Sequence, residues 1–206
     1  MARSLFTSKG SSLHLRENQR FLSDLLSLNS VHFPQQVHGT NVVVISESEQ
    51  EVAQADAVVT TLRGVGVGVI VADCLPLLIS GPDIVGAVHA GRRGLLAGVI
   101  ERTIEVMVEQ SAYPISTFSA EIGPSICGRC YEVSQEMHDE LVVNFPALSQ
   151  GVEGRRLNLQ SEALRRLREG GIVSLRDVEI CTRESEAFYS YRSGDLIERQ
   201  AGVISL

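Results

Sequence analysis

Residues 65–90 form the apolar segment Val-Gly-Val-Gly-Val-Ile-Val-Ala-Asp-Cys-Leu-Pro-Leu-Leu-Ile-Ser-Gly-Pro-Asp-Ile-Val-Gly-Ala-Val-His-Ala. It contains three short apolar runs, Val65 to Val71, Leu77 to Ser80 and Ile84 to Val88, and Gly, Asp or Pro separates each run from the next. Runs of this length between such breakers predict three consecutive strands. Glycine alternates with valine in the first run, which predicts that another part of the chain approaches that strand closely.

Helix and strand patterns alternate on both sides of this segment. Four helices are predicted, over 14–29, 95–110, 134–144 and 158–169, the last with Asn158 as N-cap and Gly170-Gly171 as its end. Short strands are predicted at 42–45, 57–61, 118–122, 178–181 and 201–206. The interleaving favours an α/β fold in which one mixed β-sheet is flanked by helices, within a single domain over residues 1–206.

Composition narrows the classes of function. The chain has 206 residues and a formal net charge of −7, whereas nucleic-acid binding usually leaves a basic footprint. No apolar run reaches the roughly 18 residues of a membrane span, and the first ten residues lack the apolar centre of a signal peptide. We therefore expect a cytoplasmic protein without nucleic-acid or membrane partners. In that compartment thiols or metal ligands are a better interpretation of the four cysteines than disulfides.

Three residues, His38, Cys74 and His89, end apolar runs beside Gly, Asp or Pro. The ends of strands next to loops are where α/β proteins place their chemistry. Two imidazoles and one thiolate are also the ligand set of an open zinc site, which keeps a fourth position for water or substrate. Their spacing matches no short zinc-finger pattern, so the residues alone leave open a metal site, a thiol site, or a buried structural thiol beside ordinary hydrogen-bonded histidines.

Seven motifs occur in one order along the chain. They are Gln-Val-His-Gly-Thr at 36–40, Asp-Ala-Val-Val-Thr at 56–60, Ala-Asp-Cys-Leu-Pro-Leu-Leu at 72–78, Val-His-Ala-Gly-Arg-Arg-Gly at 88–94, Ile-Gly-Pro-Ser-Ile at 122–126, Cys-Tyr-Glu-Val at 130–133 and Phe-Tyr-Ser-Tyr-Arg at 188–192. Over residues 34–206 the chain resembles the multicopper polyphenol oxidoreductase or laccase-domain family, whose members are also described as purine nucleoside phosphorylases and adenosine deaminases.

The resemblance implies that His38, Cys74 and His89 bind one zinc ion. It also implies phosphorolysis of adenosine, inosine or methylthioadenosine, deamination of adenosine, and small-molecule partners, a purine nucleoside and phosphate, for a monomer or homodimer. A water in the open position of the zinc site ionises near neutral pH and suits attack on C6 of adenine. Asp73, beside the thiolate, has two readings: a proton shuttle, or a hydrogen-bonded carboxylate that orients a ligand or caps a turn.

Further residues are assigned to substrate. Arg93 and the amides of Gly91 to Gly94 suit an oxyanion at the start of a helix; the alternative is ordinary turn chemistry, with Arg93 solvated or ion-paired. Lys9, in a segment that resembles the family's opening, replaces its usual arginine as a phosphate contact. The remaining substrate-binding predictions are Gln36, Cys130 and Arg192, with Arg192 the second candidate for phosphate or ribose.

Some residues depart from the family or carry no motif. Arg92 stands where the family usually has Trp, and the Gly-rich loop that follows the opening segment is missing, which predicts a more open pocket with altered substrate preference. Cys127 and Cys130 form a C-x-x-C that could be a redox pair or half a zinc site; we interpret Cys127 as incidental. Histidines without a motif are expected at the surface: His14, His32 and His138.

Two other activities remain open, and so does a non-catalytic small-molecule binder with a degenerate site, because of the missing loop and Trp. The family's fold is similar to that of toxin deamidases with a Cys–His pair, so Cys74 could be a nucleophile and His89 its base, in an amidase for cytoplasmic peptidoglycan precursors. Copper-dependent phenol oxidation, the source of the family name, ranks last and copper ranks behind zinc. A blue-copper site usually adds a weak axial Met, a multicopper enzyme needs more histidines than the five present, and none of the three methionines lies in the motifs.

Overall fold

The computed structural model describes residues 2–10 and 16–206, and within the first helix it describes side chains from Phe21 onward. Five helices are present in this part of the chain: α1 Arg16–Leu26, α2 Arg92–Ala97, α3 Val99–Gln110, α4 Gln135–Asn144 and α5 Leu159–Glu169. Ten strands accompany them: β1 Arg3–Phe6, β2 Ser30–His32, β3 Val42–Ile45, β4 Ala57–Thr60, β5 Val65–Val71, β6 Leu75–Ser80, β7 Val85–Ala90, β8 Ser119–Ile122, β9 Ser174–Asp177 and β10 Gln200–Ser205.

The strands form two mixed sheets and not the one that we predicted. Four strands make the smaller sheet in the order β1-β10-β5-β2, and six make the larger in the order β3-β4-β7-β6-β8-β9. The predicted run 65–90 is divided between them, because β5 belongs to the smaller sheet while β6 and β7 pair antiparallel in the larger. Cys74 lies in the turn where the chain crosses from one sheet to the other.

The two sheets pack face to face and each outer face is covered by helix. Between the sheets lies a core of small and branched side chains from both: Ile45, Val58, Val65, Val67, Val69, Leu78, Val85, Ala87 and Ile204. The far face of the larger sheet packs on α2, α3 and α5, while Leu22 of α1 covers Ala201 and Val203 on the smaller sheet. Burial of each such Val or Leu side chain contributes roughly 1.5–3 kcal/mol, so these layers hold the strand ends in place.

The alternation of valine and glycine in β5 follows from this layering. Val65, Val67 and Val69 face the core between the sheets. A Cβ at Gly68 would lie 2.6 Å from Cε1 of Phe33, and one at Gly66 would lie 2.9 Å from Cδ1 of Leu28. The glycines therefore let other side chains approach the backbone of the strand, as the sequence predicted.

Several predicted elements are confirmed and others are wrong. Asn158 is the N-cap of α5, and its side chain accepts a hydrogen bond from the amide of Ser161. The predicted helix 95–110 is two helices, because Gly98 adopts a left-handed φ of 101° between α2 and α3. The predicted strand 178–181 is wrong, since the strand that pairs with β8 is β9 at residues 174–177. Residues 14 and 15 of the predicted first helix, and with them His14, lie outside the described residues.

Within residues 2–10 and 16–206, each helix is too short or too polar to cross a bilayer.

Candidate metal centre and substrate cleft

His38, Cys74 and His89 come together although they lie far apart in the sequence. One ligand atom of each lies within 4.8 Å of the others, and Sγ of Cys74 is 3.8 Å from Nε2 of His38. The two imidazole rings meet edge to face with centroids 4.7 Å apart. His38 is exposed, Cys74 is partly buried and His89 is buried, so the group opens toward solvent on the side of His38.

Each of the three residues comes from a different part of the fold. His38 lies in the loop between β2 and β3, Cys74 immediately before β6, and His89 one residue before the end of β7. Pro76 of β6 is opposite His89 in the antiparallel ladder, which fixes the end of one strand beside the other. The rigid larger sheet thus positions Cys74 and His89, and His38 reaches them from a loop.

A buried carboxylate, Asp56, holds the loop of His38 and orients His89. It accepts hydrogen bonds from the backbone amides of Val37, His38 and Gly39, at 3.2, 2.8 and 2.6 Å, and from Nδ1 of His89 at 2.8 Å. A carboxylate that accepts from one ring nitrogen leaves the other nitrogen to bind a metal, as in carboxylate–histidine–zinc triads. The sequence analysis quoted Asp56 only as part of a motif and missed this role.

Backbone geometry brings the loop close to the start of α2. His38 has φ of 61°, a left-handed conformation that histidine adopts more readily than most residues. A Cβ at Gly91 would lie 2.7 Å from Cδ2 of His38, and one at Gly94 would lie 2.7 Å from the carbonyl oxygen of Gly39. Only glycine at these two positions leaves room for the loop to pack against the helix.

The protonation of the group favours a thiolate. Burial opposes ionisation of Cys74, but hydrogen bonds to His38 and His89 and the charge of the rings outweigh it and lower the pKa of the thiol to about 6. Burial likewise opposes the charged form of His89, but its bonds to Asp56 and Cys74 raise the pKa of that ring to about 9. A metal ion would compete with the proton on His89 and take over its role in stabilising the thiolate.

The donor set fits zinc. Two imidazoles and one thiolate are ligands that zinc prefers, and three protein ligands leave a coordination position on the open side. The axial Met of a blue-copper site has no counterpart among the described residues of this group, because Met107 is fully buried in the helix-facing core and Met137 packs against that core from α4.

All three residues lie in the wall of a cleft of about 540 Å³. The cleft is mainly apolar with a few polar groups, and its other lining residues are Pro34, Gln35, Gln36, Ile70, Val71, Ala72, Asp73, Tyr131, Tyr191, Arg192 and Arg199. Its size and composition are those of a site for a small organic molecule. The sequence analysis did not single out Arg199 or the two tyrosines.

Four of the predicted substrate or catalytic residues line the cleft, namely Gln36, Asp73, Cys74 and Arg192, and the side-chain polar atoms of two of them, Asp73 and Gln36, are already engaged. Both carboxylate oxygens of Asp73 accept hydrogen bonds, one from the hydroxyl of Thr182 at 2.7 Å and one from the amide of Arg192 at 2.8 Å. The side-chain amide of Gln36 exchanges two hydrogen bonds with the backbone of Ile70. The two contacts of Asp73 favour its interpretation as a hydrogen-bonded carboxylate that orients its neighbours over its interpretation as a proton shuttle.

Arg192 presents a cation at the edge of the cleft. Its guanidinium lies 4.8 Å from the centroid of the Tyr131 ring and donates to the carbonyl of Glu132 at 2.9 Å. A guanidinium carries five N–H donors, so these contacts orient it without using all of them.

The other predicted substrate residues lie away from the lining of this cleft. The ammonium of Lys9 pairs with Asp195 at 3.6 Å and lies over the ring of Tyr189. Arg93 is exposed on the short helix α2. Sγ of Cys130 donates to Glu184 at 3.3 Å, as part of a second cluster of metal-binding side chains.

Comparison with known proteins gives consistent relatives. A family model described as multi-copper polyphenol oxidoreductase laccase matches residues 5–206. Purine nucleoside phosphorylase ORF3 of Streptomyces griseus is 37% identical over 192 residues, which cover 88% of this chain and 77% of that protein. The purine nucleoside phosphorylase of Aquifex aeolicus is 36% identical over 170 residues, 82% of this chain and 79% of that protein.

Solved structures share the whole fold. The Neisseria meningitidis protein NMB0706, described as DUF152, has a TM-score of 0.84 and 28% identity over 100% of this chain and 94% of that one. YlmD from Geobacillus stearothermophilus has a TM-score of 0.80 and 24% identity, with 100% and 91% covered. The second likeness concerns the fold alone.

Proposed function

Because the chain belongs to the multi-copper polyphenol oxidoreductase laccase family, we propose that it is a zinc-dependent purine nucleoside phosphorylase acting on adenosine, inosine or methylthioadenosine. The observation that carries the proposal is the convergence of His38, Cys74 and His89 in the wall of a cleft of about 540 Å³. Relatives over most of the chain's length that are named purine nucleoside phosphorylases support it.

We assign separate roles in phosphorolysis to individual residues of the cleft. In this reaction phosphate oxygen forms a bond to C1′ of the ribose, the bond from C1′ to the purine breaks, and the base leaves with a proton. Tyr131 and Tyr191 suit the faces of a purine and a ribose, and the guanidinium of Arg192 suits phosphate. Asp73 acts as a positioning residue, since it holds the amide of Arg192.

His38, Cys74 and His89 would hold the zinc ion, with Asp56 fixing His89. When bound, zinc supplies a Lewis acid that polarises a substrate oxygen or nitrogen or lowers the pKa of a water. The second use suits attack on C6 of adenine with loss of ammonia, so adenosine deamination is proposed as a second activity of the same cleft. Gln36 lines the cleft with its amide bound to Ile70, and Lys9 and Arg93 lie away from the lining, so these three are proposed to contact substrate only after the cleft rearranges. Cys130 belongs to the second cluster of metal-binding side chains and is not assigned to substrate.

The proposed setting is a monomer or homodimer of one domain in the cytoplasm. All four cysteines are free, which fits a reducing compartment. The net charge of −7 favours small molecules over nucleic acid as partners.

The test is incubation of zinc-loaded protein with adenosine, with and without phosphate, and identification of the products by mass. We expect adenine and ribose 1-phosphate only when phosphate is present. Some inosine should form with or without phosphate, because deamination consumes water and not phosphate. Cys74→Ser should abolish both, whereas His138→Ala, a histidine on α4 outside the cleft, should change neither. Adenine release that does not need phosphate, or activity that survives Cys74→Ser, would overturn the proposal.

A Cys–His hydrolase is the second candidate. Sγ of Cys74 lies within 4.8 Å of a ring nitrogen of His89, and Asp56 orients His89, so nucleophile, base and orienting carboxylate occur together. In this alternative Cys74 attacks an amide carbonyl of a cytoplasmic peptidoglycan precursor, the C–N bond breaks, and His89 transfers the proton to the leaving amine. Water then hydrolyses the thioester, which releases the carboxylic acid and restores the thiol. Activity on such an amide that persists in chelator-treated, metal-free protein would favour the hydrolase, because the phosphorylase is expected to lose its activity there.

A further inference from the structure

A second group of metal-binding side chains lies outside the cleft. One ligand atom from each of Cys127, Cys130, Cys181 and Glu184 lies within 4.8 Å of the others. Cys181 is buried, Cys127 and Cys130 are partly buried, and Glu184 is exposed, so the group closes inward and is reached from the surface. The C-x-x-C that the sequence analysis treated as a possible half site thus has its other half about fifty residues further along the chain.

The two segments that supply these ligands are fixed by the backbone. The amides of Cys130 and Tyr131 both donate to the carbonyl of Cys127 at 3.0 Å, which folds the C-x-x-C into a tight turn. Ser125 exchanges hydrogen bonds with Ile180 and Thr182 at 3.1 Å, so the chain around Cys181 runs beside this turn. A Cβ at Gly128 would lie 2.6 Å from Cγ1 of Val152, so the turn packs closely against Val152.

Without a cation, burial and the neighbouring thiol and carboxyl groups raise the pKa of Cys127 and of Cys130, so a cation is what would hold these sulfurs as thiolates. The amide of Cys127 donates to Sγ of Cys181 at 3.4 Å, a contact that stabilises negative charge on sulfur. Three thiolates and a carboxylate around a divalent ion carry a formal net charge of −2. Two guanidinium groups offset it: Arg129 pairs with Glu184 at 3.2 Å, and Arg183 donates to the carbonyl of Cys130 at 3.1 Å.

We propose that Cys127, Cys130, Cys181 and Glu184 bind a structural zinc ion, distinct from the ion proposed for the cleft. In a tetrahedral site with Zn–S bonds of about 2.3 Å, neighbouring sulfurs lie about 3.8 Å apart. The 4.8 Å limit on the present separations therefore requires only a small contraction when the three thiols lose their protons. Three thiolates select zinc over magnesium or calcium, and four protein ligands close the site to substrate, as in structural zinc sites.

A disulfide explains the arrangement less completely. It would join two of the sulfurs and leave the third thiol and the carboxylate facing each other without a role. Convergence of all four donors is what a cation requires, and the binding reaction balances as one divalent ion taken up for three thiol protons released.

The second zinc would join two segments of the cleft wall. The turn that begins at Cys127 leads directly to Tyr131, and the segment that begins at Cys181 leads to Arg192. Asp73 connects the two sites, because its carbonyl accepts from the amide of Ile126 at 2.9 Å and its carboxylate from the hydroxyl of Thr182. Loss of this ion should therefore loosen Tyr131 and Arg192 without removing a ligand from the cleft.

The experiment is a count of zinc per chain in purified protein by mass spectrometry of the metal, with Cys74→Ser and Cys130→Ser as reciprocal controls. We expect two zinc ions in the wild type and one in each variant. X-ray absorption at the zinc edge should then show about three sulfur ligands near 2.3 Å in Cys74→Ser and one sulfur with nitrogen ligands in Cys130→Ser.

Glu184→Gln is a more conservative variant, and it tests the site even if Cys130→Ser does not fold. Glu184→Gln should keep the fold by circular dichroism and weaken zinc binding at this site about tenfold or more in competition with a chromophoric chelator. Glu186→Gln removes the same charge two residues away and should leave affinity unchanged. The proposal is overturned if Cys74→Ser saturated with zinc chloride holds no ion, if Cys130→Ser binds as much zinc as the wild type, or if the protein purified without reductant carries a disulfide among Cys127, Cys130 and Cys181.

Whether the cleft is a phosphorylase does not decide this test. Failure of phosphorolysis with two zinc ions bound would count against the proposed function alone, and phosphorolysis by a protein with one zinc ion would count against the second site alone.

Discussion

At the scale of single residues, Asp56 connects the sheet to the candidate metal centre. Its carboxylate accepts four hydrogen bonds, three from the loop of His38 and one from His89. Burial opposes its charge, but the bonds from His89 and from the amides of Gly39 and His38 outweigh it and lower the pKa of the carboxyl. This residue therefore sets the position of two of the three ligands while touching neither metal nor substrate.

We expect Asp56→Asn to weaken zinc binding at the cleft by 10–100-fold and to destabilise the fold by about 1–3 kcal/mol. An amide has one acceptor oxygen, so its NH2 group would face an N–H donor and leave it without a partner. Competition with a chelator measures the first effect and thermal unfolding the second.

Asp83→Asn is the matched control for this change. Asp83 also accepts hydrogen bonds, from Ser111 and Ala112, but lies before the opposite end of β7. It should lower stability without changing zinc affinity at the cleft. Equal zinc affinity in Asp56→Asn and wild type would show that Asp56 does not orient the ligands.

The three residues of the candidate metal centre could be singled out from sequence, but the residue that orients them could not. His38, Cys74 and His89 each end an apolar run inside a recognisable motif. Asp56 also begins such a run, yet its role depends on four donors that meet it only in three dimensions. Cys181 and Glu184 were missed for the same reason, because no spacing links them to the C-x-x-C at Cys127 and Cys130.

At the scale of secondary structure, the strands of the segment 65–90 were predictable because each is short, apolar and bounded by Gly, Asp or Pro. Elements without such a pattern were missed, such as β1 with the sequence Arg-Ser-Leu-Phe and the three-residue β2. The division between α2 and α3 was missed as well, since a single Gly98 is compatible with a continuous helix until its φ is known.

The glycines of β5 give a prediction at this scale. Gly68→Ala should destabilise the protein by about 1–3 kcal/mol, because the new Cβ would overlap Phe33 and lie 3.0 Å from the carbonyl oxygen of Gly202. Gly39→Ala, where a Cβ would make ordinary contacts at 3.5 Å, should cost much less. Chemical denaturation compares the two, and equal losses would contradict the packing described for β5.

At the scale of the whole molecule, the sequence predicted an α/β fold, which is confirmed, but with one sheet in place of two. Periodicity identifies strands without saying which of them pair, and the decisive pairing joins β10 to β5 across more than a hundred residues. The crossing from one sheet to the other between β5 and β6 then creates the turn that carries Asp73 and Cys74.

A buried ion-pair network joins the helix layer. Glu162 of α5 is fully buried and pairs with Arg165 and Arg166, and Arg166 also pairs with Glu101 of α3 at 2.6 Å. Burial opposes ionisation of Glu162, but hydrogen bonds from the two arginines outweigh it and hold the pKa of the carboxyl below its usual 4.5. A carboxyl whose pKa is lower in the folded than in the unfolded protein stabilises the fold at pH values above its unfolded pKa. This stabilisation is lost as the pH falls through the folded pKa.

We therefore expect the free energy of unfolding of the wild type to decline below about pH 4.5, and Glu162→Gln to decline less over the same range. Near neutral pH this variant should be about 1–3 kcal/mol less stable, because the buried guanidinium of Arg166 loses one of its two carboxylate partners and keeps Glu101. Glu169→Gln, an exposed partner of Arg165 on the same helix, should cost less than about 1 kcal/mol. Parallel pH profiles for wild type and Glu162→Gln would contradict this account.

The central claim is that His38, Cys74 and His89 hold one zinc ion at the open cleft. Anomalous X-ray diffraction at the zinc edge, on crystals grown with zinc chloride, tests it most directly. The account predicts a peak about 2.0–2.1 Å from a ring nitrogen of each histidine and about 2.3 Å from Sγ of Cys74. Zinc density found only at other places in the molecule, with no peak between these three side chains, would contradict it.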